Sequence, residues 1–98
     1  MANKMRAIHP GEILREEMET LGFSANVFAK KLHVPTNRIT SILKGQRSIT
    51  ADTALRLARF FKTTPEFWLN LQISYDLKIA TVLHGKDIEK EVMSRDAA

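Results

Sequence analysis

Residues 24–44, SANVFAKKLHVPTNRITSILK, constrain this chain more than any other stretch. Phe28 and Leu32 stand four apart with Ala29 beside them. Ile39, Ile42 and Leu43 repeat the i, i+3, i+4 spacing of a buried helical stripe. The spacing predicts two short amphipathic helices. Between them, Leu32, His33, Val34 and Pro35 supply a tight turn, and Pro35 suits a helix's first turn, where its missing N–H costs nothing. His33 falls where such a turn needs a left-handed residue; glycine serves best there, and histidine is among the more tolerant alternatives. Small Ala29 lets the two helices cross closely.

Two short helices meeting at a tight turn form the helix-turn-helix pattern, whose second helix enters the DNA major groove. That second helix, residues 35–44, can be read by angle, since successive residues step about 100° around an α-helix. With Ile39, Ile42 and Leu43 facing the core, the opposite side carries Asn37, Ser41 and Lys44. Thr40 flanks them, as do Thr36 and Arg38 more obliquely. Asn pairs with adenine, Lys and Arg with guanine, and Ser or Thr with bases or phosphates. A solvated face would also be polar, but this one carries no acid.

The charge map agrees. The net charge of +4 is unevenly spread. Residues 24–62 hold eight cations against Asp52 alone, net +7, whereas residues 1–23 sum to −1 and residues 63–98 to −2. A positive field confined to the helix-turn-helix segment attracts phosphate. The loop Lys44-Gly45-Gln46-Arg47-Ser48 adds two cations beside the groove, with Lys44 and Arg47 as candidate phosphate contacts.

Other classes find little support. Ninety-eight residues suffice for one domain with its own core, and the absence of cysteine excludes disulfides and thiolate metal sites. No secretory signal or membrane span is visible, so a cytoplasmic location is expected. His9 and Glu12 lack a third metal ligand, and His9, His33 and His84 lie far apart, so no metal or other cofactor is expected. No nucleophile–base set or Gly-rich phosphate loop points to an enzyme.

The remaining chain reads as an all-α, single-domain fold. Residues 1–8 look like a loose arm. Pro10 and Glu12 open a first helix that buries Leu14, Met18 and Leu21, with Gly22 as its cap. Ser24 caps the second helix and Thr50 the fourth, whose stripe is Ala54, Leu57, Ala58 and Phe61, widened by Leu55. Thr64 and Pro65 start a fifth helix, about residues 65–84, ending near Gly85. It carries two apolar stripes: Trp68, Leu71, Tyr75, Ile79 and Val82, then Leu69, Ile73 and Leu77. One closes the core and leaves the other for a homodimer, which would present two second helices one DNA turn apart. Trp68, Leu71, Tyr75 and Ile79 are the candidate dimer residues, with the choice of stripe open. Residues 86–98 are either a short sixth helix or loose.

Three blocks, HPGEILREEM, LGFSANVFAKKLHVPTNRITSILKGQRSITADTALRLARFF and TTPEFWLNLQISYDL, strongly resemble the HigA-type antitoxins of the Xre-like, phage-repressor-type helix-turn-helix family. The likeness runs from about residue 8 to 80. It implies a five-helix, lambda-repressor-like fold and a homodimer that binds operator DNA and represses its own operon. It also implies neutralisation of a HigB-type toxin that cleaves messenger RNA at the ribosome. On this resemblance Thr36, Asn37, Arg38, Thr40, Ser41 and Lys44 are the contact positions, and His33 departs from the family's usual glycine. Residue patterns alone reach only a basic, dimeric helix-turn-helix protein, and a stand-alone transcriptional regulator is the alternative.

Overall fold

Local chemistry sets where each helix begins and ends. In this computed structural model, which describes residues 6–96, the described residues form five helices and no strand. Helix α1 (Pro10–Leu21) is capped by His9: its Nδ1 accepts from the Gly11 amide at 2.9 Å, and Glu12 Oε2 accepts from the His9 amide at 3.2 Å. Gly22, with φ 72°, ends it. Helix α2 (Ala25–Leu32) starts at Ser24, whose Oγ accepts from the Val27 amide, and is closed by His33 in the left-handed conformation at φ 58°. The turn role expected of His33 holds.

Helix α3 (Thr36–Leu43) begins one residue after Pro35, which occupies the cap position. Helix α4 (Ala51–Phe61) has Thr50 at its cap, although the Thr50 hydroxyl makes no capping hydrogen bond. Helix α5 (Pro65–Glu91) starts where expected, with Thr64 Oγ1 accepting from the Phe67 amide. It does not stop near Gly85. A glycine inside a helix costs only about 1 kcal/mol, and the good helix formers Lys86, Glu89, Lys90 and Glu91 carry the helix through it to Glu91.

Leu14, Phe28, Ile39, Ile42, Ala54, Leu57 and Trp68 are fully buried and form one core. Phe28, Phe60, Phe61 and Trp68 interlock within it, with ring centroids 5.0 to 5.8 Å apart. Two expected core positions stand outside: Leu21 is 44% exposed, at the last residue of α1, and Leu55 is 60% exposed, on the outer side of α4. The largest correction concerns Trp68. It is 1% exposed within a single chain, and its indole N–H donates to Thr63 Oγ1 at 3.0 Å, so it serves the monomer's core and presents nothing to a partner. Leu71 also packs against the core, and Tyr75 meets the His9 ring edge-on at 4.9 Å. Of the four candidate dimer residues only Ile79 faces outward, beside Ile73, Leu77, Val82 and Leu83.

The N-terminal arm is less loose than expected where it is described. Arg6 forms a two-pronged pair with Glu12, at 2.9 and 2.6 Å, and its carbonyl accepts from Lys78 Nζ at 3.4 Å. The remainder of the expected arm, residues 1–5, lies outside the described residues, as do residues 97 and 98 of the tail.

Candidate nucleic-acid interface

Helix α3 is held from three sides. Beneath it, α1 crosses so closely that a Cβ on Gly11 would collide with the Ile42 carbonyl oxygen; only glycine fits. At its C-terminal end, Arg15 Nη2 donates to the Leu43 carbonyl at 3.4 Å. At its N-terminal end, the Thr36 hydroxyl donates to Asn26 Oδ1 at 3.0 Å, tying the first turns of α2 and α3 together. Such support matters because a reading helix works only if its side chains arrive at the groove in a fixed register.

The outward side of this helix is polar, as the angular reading requires. Asn37 and Lys44 are exposed, and Thr36, Thr40 and Ser41 are partly so. The Thr40 hydroxyl turns back to the Asn37 carbonyl at 3.3 Å, so its methyl faces away from that bond. No described residue pairs with the side chains of Asn37, Ser41 or Lys44.

Arg38 is the exception. Its Nη1 donates to Asp52 Oδ2 at 2.6 Å, and the side chain is only 28% exposed. The same oxygen accepts from Arg56 Nε at 2.9 Å, and Arg56 Nη1 donates onward to the carbonyls of Leu32, at 2.9 Å, and His33, at 3.2 Å. Those carbonyls belong to the end of α2, which has no intrahelical partners for them. One carboxylate thus joins α3, α4 and the turn. The two guanidinium groups hold the Asp52 carboxyl below its ordinary range, Arg56 contributing most.

The loop after α3 hangs between two anchors. Near its start, Gly45, at φ 74°, lies against the His9 ring. At its end, the Ile49 amide donates to the buried Gln72 Oε1 at 2.8 Å, and Gln72 Nε2 donates to Asp76 Oδ1 at 2.9 Å. Arg47 sits between them in the chain, exposed and three residues after Lys44. Burial pushes the His9 imidazole below its ordinary pKa; the charges of Asp76 and Glu12 and the Arg47 backbone oppose this.

All seven candidate positions therefore lie on α3 or its following loop, with Arg38 turned aside. Asn26 and the Asp52–Arg56 pair are the additions. Asn26 sits in the first turn of α2, next in space to Thr36 but ten residues away in sequence, and only the crossing of the helices joins them. Asp52 reads in sequence as a dipole partner for α4, and the signal of its second task was its isolation among eight cations. Among the described residues, no group of three or more His, Asp or Glu could hold a metal ion, and no helix is long and apolar enough to cross a membrane.

A supported helix with a polar outward edge, set behind a turn and followed by a cationic loop, defines a helix-turn-helix protein. The chain belongs to that family, whose model matches residues 14–68. Within it the chain is of the HigA type. It is 67% identical to an addiction module antidote protein of the HigA family from Coxiella burnetii, with a TM-score of 0.89 over 92% of this chain and 99% of that one. The antitoxin GraA, in a structure with its operator, is 48% identical with a TM-score of 0.89, covering 99% of each chain. Virulence-associated protein I of Dichelobacter nodosus is 58% identical over 79 residues, 80% of this chain and 73% of that protein. The chain spans a smaller share, 61%, of the Escherichia coli HTH-type transcriptional regulator YbaQ, to which it is 44% identical over 69 residues, or 69% of this chain.

Proposed function

We propose that this chain is a cytoplasmic antitoxin that binds operator DNA as a homodimer, represses its own operon and neutralises a HigB-type toxin. The unpaired polar edge of α3, framed by Lys44 and Arg47, carries the DNA half of this reading. Asn37 and Ser41 read bases, Thr36 and Thr40 flank them, and the two loop cations hold phosphate. The outward apolar residues of the far half of α5 supply the dimer contact. Kinship with an antidote protein of the HigA family, and with the antitoxin GraA, solved with its operator, supports the antitoxin half. YbaQ, named as a transcriptional regulator, favours a second reading in which the chain regulates without a toxin.

Binding of the purified protein to its own promoter and to scrambled DNA, at physiological salt, tests the first half. A preference of at least about a thousandfold is expected of a specific repressor, and equal binding refutes it. Asn37→Ala should weaken promoter binding by about 1–3 kcal/mol, while scrambled DNA is bound as before. Co-expression with a HigB-type toxin separates antitoxin from stand-alone regulator. A stable complex that protects messenger RNA is expected; no complex leaves the regulator.

A further inference from the structure

Asp52 is the one acid in a segment of eight cations, and it is spent on two of them. Its bond to Arg56 has an evident structural purpose, because Arg56 satisfies the carbonyls at the end of α2. Its bond to Arg38 has a different consequence. Arg38 lies next to Asn37 on α3, and a released guanidinium on its long, flexible stem would join Lys44 and Arg47 along the outer edge of that helix. A cation there gains from any phosphate, whatever the sequence; on the promoter the base contacts of α3 fix its register and limit which phosphate the cation reaches, whereas on other DNA nothing does, so it raises affinity for non-cognate DNA the more. Leaving the carboxylate would forfeit a short, charge-assisted hydrogen bond.

We propose that Asp52 is a specificity-determining residue, which by holding Arg38 against α4 keeps that cation off the DNA backbone and leaves discrimination to Asn37 and its neighbours. This rests on the reading of α3 as the DNA-contacting helix. Asp52 then acts through Arg38, whose role differs from the base contact its sequence position suggests.

The test measures binding of the full-length protein to promoter and scrambled DNA by fluorescence anisotropy across a series of salt concentrations. Asp52→Asn should bind scrambled DNA more tightly, with the slope of log affinity against log salt steepened by about 0.9 per protomer, one phosphate's worth. Its preference for the promoter should fall. Asp52→Glu, which restores the carboxylate, should behave as the parent protein. In an Arg38→Ala background, Asp52→Asn should no longer steepen the slope, because the cation it releases is gone. An unchanged slope in Asp52→Asn overturns the proposal, and so does a steepening that persists without Arg38, since that would reflect net charge alone. Should Asp52→Asn fail to fold, Arg38→Ala by itself decides: the parent slope on scrambled DNA is expected, and a shallower one shows that Arg38 already touches phosphate. Equal binding of the parent protein to promoter and scrambled DNA would refute the repressor reading instead, and the slopes would still report on Arg38.

Discussion

Helix α5 is one continuous helix, yet its two halves meet different surroundings. In the inner half Trp68 and Gln72 are buried, one in the core and the other bonded to the loop after α3. From the middle of the helix outward, Leu77, Val82 and Leu83 are each more than 60% exposed. The inner half is richer in apolar residues, seven of the fourteen in 65–78 against five of the thirteen in 79–91, but Ile79, Val82, Leu83 and Ile88 remain in the outer one, so composition alone does not account for the contrast. Length does. Twenty-seven residues reach about 40 Å at about 1.5 Å per residue, whereas the molecule is only 22 and 21 Å across its shorter directions. Helices α1 to α4 can cover the first turns and no more. The uncovered turns keep an apolar surface that water does not favour, which is what an interface supplied by a second molecule requires.

The comparison breaks if the inner half is the one that meets a partner. Trp68→Ala should cost about 3–5 kcal/mol of folding stability, through the cavity left beside Phe61 and the lost bond to Thr63. Urea denaturation measures it. A variant of unchanged stability that sediments as a monomer would place Trp68 at the interface after all.

Gly11→Ala tests the body that covers the inner half. The added methyl meets a backbone carbonyl, which cannot rotate away, so α1 and α3 must separate. A loss of about 1–3 kcal/mol is expected, together with weaker promoter binding, because α3 is displaced. Parent-like stability would mean that the crossing is looser than its geometry.

Much of this was legible in sequence, and the misreadings share a cause. Residues whose role depends on neighbours within four positions, such as Ser24, His33 and Thr64, were placed correctly, because a cap or a turn is written locally. Trp68 and Leu21 are misplaced, because helical spacing identifies a face and says nothing about how far along a helix its cover extends; Leu55, next to the buried stripe of α4, falls on its exposed side. Arg38 lay on the right helix, but its direction depends on Asp52, fourteen residues away and across a helix crossing. At Gly85 a local stop rule loses to the good helix formers Lys86, Glu89, Lys90 and Glu91 after it.

A smaller effect joins α1 to the inner half of α5 through His9, which packs on Tyr75 and caps α1. Burial lowers its pKa in the folded chain, so the unfolded chain takes up the proton first and stability falls as the pH drops below about 6.5. Glu12, paired with Arg6 and lowered from 4.5 to about 2, adds a second loss between those two values. Both signs agree: acid destabilises, in two windows. Urea midpoints measured from pH 7.5 to 3 should show both, and His9→Asn, which keeps a capping oxygen, should flatten the upper one alone. A slope near pH 6 that survives in His9→Asn would assign it to another group.

The smallest effect on the fold is expected from the middle of α5 outward, where the largest effect on assembly should lie. Leu77→Gln with Val82→Gln removes two exposed apolar side chains and leaves charge unchanged, so it does not alter attraction to phosphate. Both positions point into solvent within one chain, and such surface changes usually shift stability by no more than about 0.5 kcal/mol. Removing apolar contacts from the centre of a helix-to-helix interface should nevertheless weaken dimerisation, which sedimentation would register as a shift toward monomer. Promoter binding should weaken with it, because a single reading helix spans one half-site and loses the second as a tethered contact. A dimer of undiminished strength in this variant would move the interface off α5 altogether, and the exposed half of the helix would then be open to a different protein.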